Sequence, residues 1–425
     1  MPSTIKIALV GAGMFGGDVH LRCYADLQRF GIAGQLARIG LDARARAFAP
    51  VQFELVAVGT RTEASARRAA AQFRERTGRE PRAYWGETPW LDILREFPDL
   101  DVLAVATPDP LHTPPILAAL EAGAHVVTEK PMCLDVAEAD RILELARTKN
   151  RIVAVDMHKR YDPDHRRIRE EIVRQIGEPL YGLAYLEEPL SVSTRTFKWV
   201  EQSDPFSYVG SHWVDLIYDY YRSQPVALTA VGQKKRLARE GLNAYDAVQV
   251  RVDFANGMSV HFFNNWITPA DFEGPVNQGH EIVGTDGKVE SDQQYRGLRW
   301  WARGHGSRTA NTHFTREVAR PDGPSACVGY GVDSLIAGLA AVCEVKCFGA
   351  TRASVAAWYP TAEDARVVVA ILHAARVVRD RNFEYLQAGR GAPVTARFGQ
   401  DGITIVDPHR ATAGALFERI YTRPV

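Results

Sequence analysis

The segment Ile5-Lys6-Ile7-Ala8-Leu9-Val10-Gly11-Ala12-Gly13-Met14-Phe15-Gly16 runs from an apolar strand signal straight into the spacing GxGxxG. Glycines at these offsets permit a tight turn, close approach of the backbone to a pyrophosphate, and close helix–strand packing. The N-terminus of the following helix then attracts the anion. The segment predicts a dinucleotide-binding turn with Gly11, Gly13, Met14, Phe15 and Gly16 at the cofactor; the competing reading is a chance glycine turn. Lys6 ahead of an apolar run also superficially suits a signal peptide, but the run is too short and ends in glycines.

Outward from this turn, strand and helix signals alternate. Strands are expected at Phe53–Gly59, from Tyr84, and at Asp101–Ala106, His125–Thr128 and Ile152–Asp156. Helices are expected at Glu63–Thr77, Leu91–Phe97, Pro114–Ala122 and Val136–Lys149. Continuous apolar strands alternating with helices imply a doubly wound parallel sheet. Leu21–Pro50 is longer than one crossover needs, and its break at Gly31-Ile32-Ala33-Gly34 suggests an inserted helical hairpin or loop.

After a charged linking helix over Asp162–Ile176, strands follow strands: Leu180–Glu188, Val226–Gln233, Ala247–Phe254, Met258–Trp266, Gly279–Val283 and Lys288–Ser291. Asn256-Gly257 and Asp286-Gly287 are hairpin turns. Helices are expected near Phe206–Arg222, Gly331–Phe348 and Ala362–Asp380, and Phe383–Val425 reads as a turn-rich tail. The expected fold is thus an α/β Rossmann domain over 1–160, with an insertion at about 21–50. An α+β domain with a largely antiparallel open sheet occupies 161–425.

Composition narrows the function. Lys plus Arg equals Asp plus Glu at 51 each, which gives no bulk attraction to nucleic acid or an anionic membrane. No apolar run reaches the length of a membrane span. Cysteines 23, 133, 327, 343 and 347 are scattered; only Cys343 and Cys347 are close, and no His or Cys joins them. They read as reduced thiols, so a cytoplasmic location and no metal site are expected.

The second strand ends Val58-Gly59-Thr60-Arg61-Thr62, without the acid that bonds an NAD ribose. A hydroxyl and a guanidinium, Thr60 and Arg61, suit a 2′-phosphate, so NADP is favoured with NAD as the alternative. Arg61 stacking on adenine or facing solvent is the blander reading.

Further on come Thr107-Pro108-Asp109-Pro110-Leu111-His112-Thr113, an Ala-rich helix, Gly123-Ala124-His125-Val126, and Glu129-Lys130-Pro131. In this succession of motifs the chain resembles the Gfo/Idh/MocA oxidoreductase family, from residue 5 to about 380. The resemblance implies action on sugars, cyclitols or related polyols. It implies that Thr107 and Pro108 line the cofactor, Glu129 holds its ribose, His112 lies near the nicotinamide ribose, and Lys130 faces nicotinamide and substrate. The bland alternatives are a helix N-cap for Thr107, a satisfied loop histidine for His112, and a surface ion pair with Glu129 for Lys130.

In Tyr208-Val209-Gly210-Ser211-His212-Trp213-Val214-Asp215, His212 and Asp215 match the family's pattern of a catalytic His followed three residues later by Asp. Tyr208 stands where the family has an Asp. A phenol stays neutral near pH 7, so the proton relay departs from the family's form. His212 bonded to Asp215 purely for structure is the alternative. Arg160 follows the last parallel strand and is a substrate candidate, or else a salt bridge. Of Trp199, Trp213, Trp266, Trp300 and Trp301, one or two are expected at a substrate, with Ser191–Trp199 the best substrate loop.

The expected activity is NAD(P)-dependent hydride transfer at a secondary alcohol or ketone of a sugar, glycoside or cyclitol, with Lys130, His212 and Tyr208 catalytic. Lys130, Arg160, Tyr208, His212 and Asp215 are the expected substrate contacts. A glycosidase working by transient oxidation and a non-catalytic cofactor or sugar sensor are the alternatives. A homodimer or homotetramer formed through the second domain's sheet is also expected from the resemblance.

Overall fold

The structure, a computed structural model, describes residues 3–321 and 323–425. The chain divides into two compact units. One comprises Met1–Cys133, Glu138–Pro163 and His313–Ala365; the other comprises Leu134–Ala137, Asp164–Thr312 and Arg366–Val425.

In the first unit six strands lie in the order β3-β2-β1-β4-β5-β6: β1 (Thr4–Val10), β2 (Gln52–Thr60), β3 (Arg82–Trp85), β4 (Val102–Val105), β5 (His125–Thr128) and β6 (Val153–Val155). Every pairing is parallel. β4, β5 and β6 are buried along their whole length, as their unbroken apolar runs require. The strand order reverses between β1 and β4, and ligands of open α/β sheets bind at that switch point.

Local signals place the helices. Thr62 caps Glu63–Thr77, its hydroxyl accepting from the Ser65 amide at 3.3 Å, and Gly78 ends the helix with φ 74°. The expected insertion is a helix, Leu21–Phe30, that stops at Gly31 (φ 70°). Helical turns at Ala33–Ile39, Asp42–Arg44 and Ala45–Phe48 follow, burying Leu36 and Phe48.

The helix Tyr330–Phe348 belongs to this unit, although a division at 160/161 would assign it to the second domain. Its apolar residues Val332, Leu335, Ile336 and Leu339 share one core with Ile5, Ile7 and Leu9. Gly338 lets it approach the sheet, because a Cβ there would lie 2.7 Å from the Ala154 Cβ.

The second unit holds a nine-stranded sheet in the order β12-β11-β7-β10-β9-β8-β13-β14-β15. Its strands are β7 (Pro179–Pro189), β8 (Pro225–Gln233), β9 (Ala247–Phe254), β10 (Ser259–Thr268), β11 (Asn277–Gly284), β12 (Lys288–Asp292), β13 (Thr395–Gly399), β14 (Gly402–Val406) and β15 (Phe417–Tyr421). Only the β7–β10 pair is parallel. Asn256-Gly257 turns between β9 and β10, with Gly257 at φ 85°.

The tail is where the sequence reading needs correction. Phe383–Val425 is not merely turns but supplies β13 to β15. Each is only five residues long, too short for alternation to stand out. Asn382 ties this extension in: its side chain donates to the carbonyls of Ala230 (2.9 Å) and Val394 (3.1 Å) and accepts from the Val394 amide (2.9 Å). The helix expected at Ala362–Asp380 extends to Gln387. Two small hairpins, Arg299–Ala302 with Gly306–Thr309 and Arg316–Arg320 with Gly323–Val328, had no clear signal in the sequence. No described helix is long and apolar enough to cross a membrane.

Candidate active site

The parallel register builds the candidate site of the first unit. Val10 pairs with Val105, Val105 with Thr128, and Thr128 with Val155. The next residue on each strand therefore forms one row along the carboxyl edge: Gly11, Ala106, Glu129 and Asp156. Backbone bonds continue the ladder into this row, from Ala106 N to Val10 O, Glu129 N to Val105 O, and Asp156 N to Thr128 O, each 2.8 Å.

Gly11 has φ +91°, and a Cβ there would sit 2.2 Å from the Ala106 carbonyl oxygen; one on Gly16 would sit 2.1 Å from Gly11 O. A Cβ on Gly13, by contrast, would meet nothing within 4 Å. Two glycines are thus demanded by the turn itself, while the third opens onto space that an approaching group can use. This is the division of labour a pyrophosphate requires, and the residues present fit a dinucleotide. Met14 is exposed on the same turn, and Phe15 stacks on His158 with ring centres 5.3 Å apart.

Thr60 is buried at the end of β2 and donates its hydroxyl to Thr62 O (2.9 Å), while Arg61 is exposed. Thr107 and Pro108, after β4, are half-buried. Thr107 does not cap the following helix, which begins at Thr113. His112 is wholly buried, its ring nitrogens 2.7 Å from the carbonyl oxygens of Pro131 and of Thr107. It clamps the two loops that end β4 and β5. Burial pulls its pKa below the ordinary histidine value, against the two carbonyl oxygens, which favour the protonated ring.

Lys130 is only 4% exposed, which removes the surface ion-pair reading. Its charge is felt at Glu129, His112 and His158. Glu129 is equally buried and meets His20, with Oε1 2.9 Å from Nε2; the other ring nitrogen of His20 lies 2.9 Å from the Tyr24 hydroxyl. Burial, then the neighbouring Asp156 charge, raises Glu129 to about 7. Arg160, a substrate candidate in the sequence, pairs with Asp364 of the same unit at 2.8 Å.

Glu129 makes stability depend on pH. In the unfolded chain it releases its proton near the ordinary Glu value, whereas the folded protein holds it to about 7. Stability is therefore greatest below the unfolded value and is lost as pH rises toward 7. Glu129→Gln, whose amide replaces the protonated carboxyl, is expected to flatten that slope in thermal melts. An unchanged slope would show that another group carries it.

The second unit supplies the remaining candidates. Asp204 anchors the helical segment that carries them: its carboxylate accepts from the amides of Phe206 and Ser207, each at 3.0 Å, and pairs with Arg379 at 2.7 Å. Burial would push its carboxyl up, but Arg379, the hydrogen bonds from Ser207 and the Arg376 charge together outweigh this and hold it below the usual carboxylate range. The first turn, Phe206–Gly210, is a wide helical turn, and the regular helix runs Ser211–Tyr221. A Cβ on Gly210 would lie 2.6 Å from the Asn264 side-chain oxygen, so glycine lets this segment sit on β10. Trp213 fixes it further by donating to Tyr185 O at 2.9 Å. His212 and Asp215 are both buried on this helix.

Tyr208 lies in an aromatic cluster, edge-on to Phe197 (4.8 Å) and Trp199 (5.5 Å) and tilted toward Trp266 (6.2 Å). Its surroundings are those of a packing ring. The Ser191–Trp199 segment is held to this cluster by Ser193, which donates to Trp266 O at 3.0 Å. Trp213 and Trp266 are core, whereas Trp300 and Trp301 stand on an exposed hairpin.

Three functional candidates escaped sequence reasoning: His20, Asp156 and Asp204. Asp156 gave a usable signal, an acid directly after a buried strand. His20 gave none, because its carboxylate partner Glu129 is remote in sequence.

Comparison with known families agrees with this geometry. Residues 5–157 match the oxidoreductase family model described as an NAD-binding Rossmann fold, and residues 165–290 match the GFO/IDH/MocA C-terminal domain. The chain belongs to the Gfo/Idh/MocA oxidoreductase family. It is similar to 1,5-anhydro-D-fructose reductase of Ensifer adhaerens, 26% identical over 197 residues that cover 45% of this chain and 57% of that one. It is also similar to inositol 2-dehydrogenase of Leifsonia xyli subsp. xyli, 27% identical over 236 residues, 54% of this chain and 65% of that one. Each match thus spans less than two thirds of the relative's length. Among solved structures, scyllo-inositol dehydrogenase from Lactobacillus casei, bound to NAD(H) and scyllo-inositol, aligns with TM-score 0.62 at 18% identity. That alignment covers 90% of this chain and 98% of the other, and shows the shared fold.

Proposed function

We propose that this member of the family is an NAD(P)-dependent dehydrogenase acting on a secondary alcohol of a sugar, glycoside or cyclitol, or on the matching ketone. The observation that carries the reading is the row at the sheet's switch point. It sets an open glycine turn beside a buried lysine that follows a buried glutamate. The names of the relatives, reductases and dehydrogenases of sugars and cyclitols, support the substrate class.

The backbone of Gly11–Gly16 would hold the pyrophosphate, Thr107 and Pro108 would line the cofactor, and Glu129 would hold its nicotinamide ribose. When bound, the nicotinamide accepts or returns a hydride. Lys130 donates a hydrogen bond to the substrate oxygen as alkoxide character develops, and His212 removes the hydroxyl proton in the oxidative direction. Asp215 orients His212, while Tyr208 contributes a wall to the substrate site. This reading assigns Tyr208 no charge of its own, consistent with its aromatic surroundings.

NADP is the favoured cofactor because β2 ends in Thr60-Arg61 with no acid and Arg61 is exposed. Arg61→Ala is expected to weaken NADP binding about tenfold or more through loss of a charge-assisted contact, with little effect on NAD. Fluorescence titration of both reduced nucleotides measures this; equal losses would refute the preference. We further propose a homo-oligomer formed through the open sheet, where Tyr181, Val226 and Phe263 are exposed apolar residues. Light scattering reads its size.

The functional test is a screen of cyclitols and glycosides with each nucleotide, following reduced nicotinamide and the ketone product together.

A further inference from the structure

The register that forms the site also sets two acids side by side. Glu129 and Asp156 each follow the paired residues Thr128 and Val155, so they occupy adjacent places on neighbouring parallel strands. Like charges at such positions repel. Both are buried, and ligand-capable atoms of His20, Glu129 and Asp156 all lie within 4.8 Å of one another. His158 Nδ1 stands 3.7 Å from the Asp156 carboxylate, which has Ser334 as a second polar neighbour. Two buried carboxylates this close do not both ionise without compensation; one keeps a proton.

We propose that Asp156 is a positioning residue that keeps a proton on Glu129, shared with His20, behind Lys130. The role in turnover rests on the reading of Lys130 as the group that meets the reacting oxygen; the proton-holding itself does not.

The surroundings assign the charge. From the helix after β1, His20 and Tyr24 face the pair, with the ring of His20 held by the Tyr24 hydroxyl. From its own turn the Lys130 charge acts on Glu129, and beyond β6 stands His158, stacked between Phe15 and Tyr330. Ser334 approaches Asp156 from the helix Tyr330–Phe348. Burial pushes Asp156 up, but His158 and His20 more than offset it, so Asp156 carries the negative charge and Glu129 the proton. The proton that Glu129 shares with His20 lies in the 2.9 Å contact between Oε1 and Nε2, and the other ring nitrogen of His20 meets the Tyr24 hydroxyl at 2.9 Å. Glu129 and Lys130 act on each other through their charges, so a proton held on Glu129 changes the field at the Lys130 ammonium and with it the strength of its hydrogen bond to a developing alkoxide.

The test uses Asp156→Asn in the full-length protein, with thermal stability measured from pH 4 to 9. Removing the neighbouring charge is expected to move the Glu129-dependent fall in stability down by about one pH unit or more. The same substitution on the Glu129→Gln background is expected to produce no such shift. Asp156→Ser, smaller and uncharged, serves if the Asn variant does not fold. A loss of stability equal at every pH would overturn the proposal, as would a divalent metal recovered stoichiometrically with the protein and lost in the variant. In kinetics, the pH profile of kcat/KM is expected to move with the stability midpoint. A profile that stays put while the midpoint moves would overturn the link to Lys130. A shifted midpoint in a protein that turns over no polyol would instead retain the proton-holding role and refute the proposed activity.

Discussion

Lys130→Met is expected to bind reduced nucleotide as the unaltered protein does and to lose turnover by about a hundredfold to ten-thousandfold. The side chains are similar in length and both suit a buried position, so the fold tolerates the exchange; Lys130 is only 4% exposed. What disappears is the donor that stabilises alkoxide character in the transition state. Because that interaction strengthens as charge develops, the loss falls on kcat more than on KM. Nucleotide titration and steady-state kinetics on the same preparation separate the two. Near-normal kcat in the variant would remove Lys130 from the reaction.

The second large effect separates a glycine needed for folding from one needed for binding. Gly13→Val is expected to leave the melting temperature nearly unchanged, because a Cβ there meets nothing within 4 Å. The added side chain fills the approach to the pyrophosphate. Losing two charge-assisted hydrogen bonds at about 1.5–3 kcal/mol each corresponds to a hundredfold or greater loss of nucleotide affinity. Gly11→Ala is expected to behave oppositely. Its φ of +91° and the 2.2 Å approach to Ala106 O put strain and a backbone clash into the folded state, costing about 3 kcal/mol or more. Calorimetry and nucleotide titration of the pair tell them apart. A Gly13→Val protein that binds nucleotide normally would place the cofactor elsewhere.

The first sheet was legible because parallel strands buried on both faces leave continuous apolar runs. His125–Thr128 and Glu63–Thr77 have the observed limits. The three tail strands were not, since five-residue strands among glycines carry little periodicity. Membership of Tyr330–Phe348 in the first unit was equally hidden, because an apolar helix does not say which sheet it covers.

For the site, the motifs named Lys130 and Glu129, and the fold supplied what surrounds them. The Glu129–Asp156 adjacency arises from strand register, which links residues 27 positions apart and leaves no local spacing. The His20 contact arises the same way, from a helix packing against the sheet. Tyr208 was conspicuous as the residue standing in place of an acid; its neighbours Phe197, Trp199 and Trp266 account for a ring there.

The most direct measurement is the stoichiometry of one reaction: wild-type protein, excess NAD or NADP, and a panel of cyclitols and glycosides, with reduced nicotinamide and organic products both quantified. Reduced cofactor is expected to accumulate mole for mole with a ketone. Free sugar released without accumulation of reduced cofactor, or no redox change across the whole panel, would contradict it.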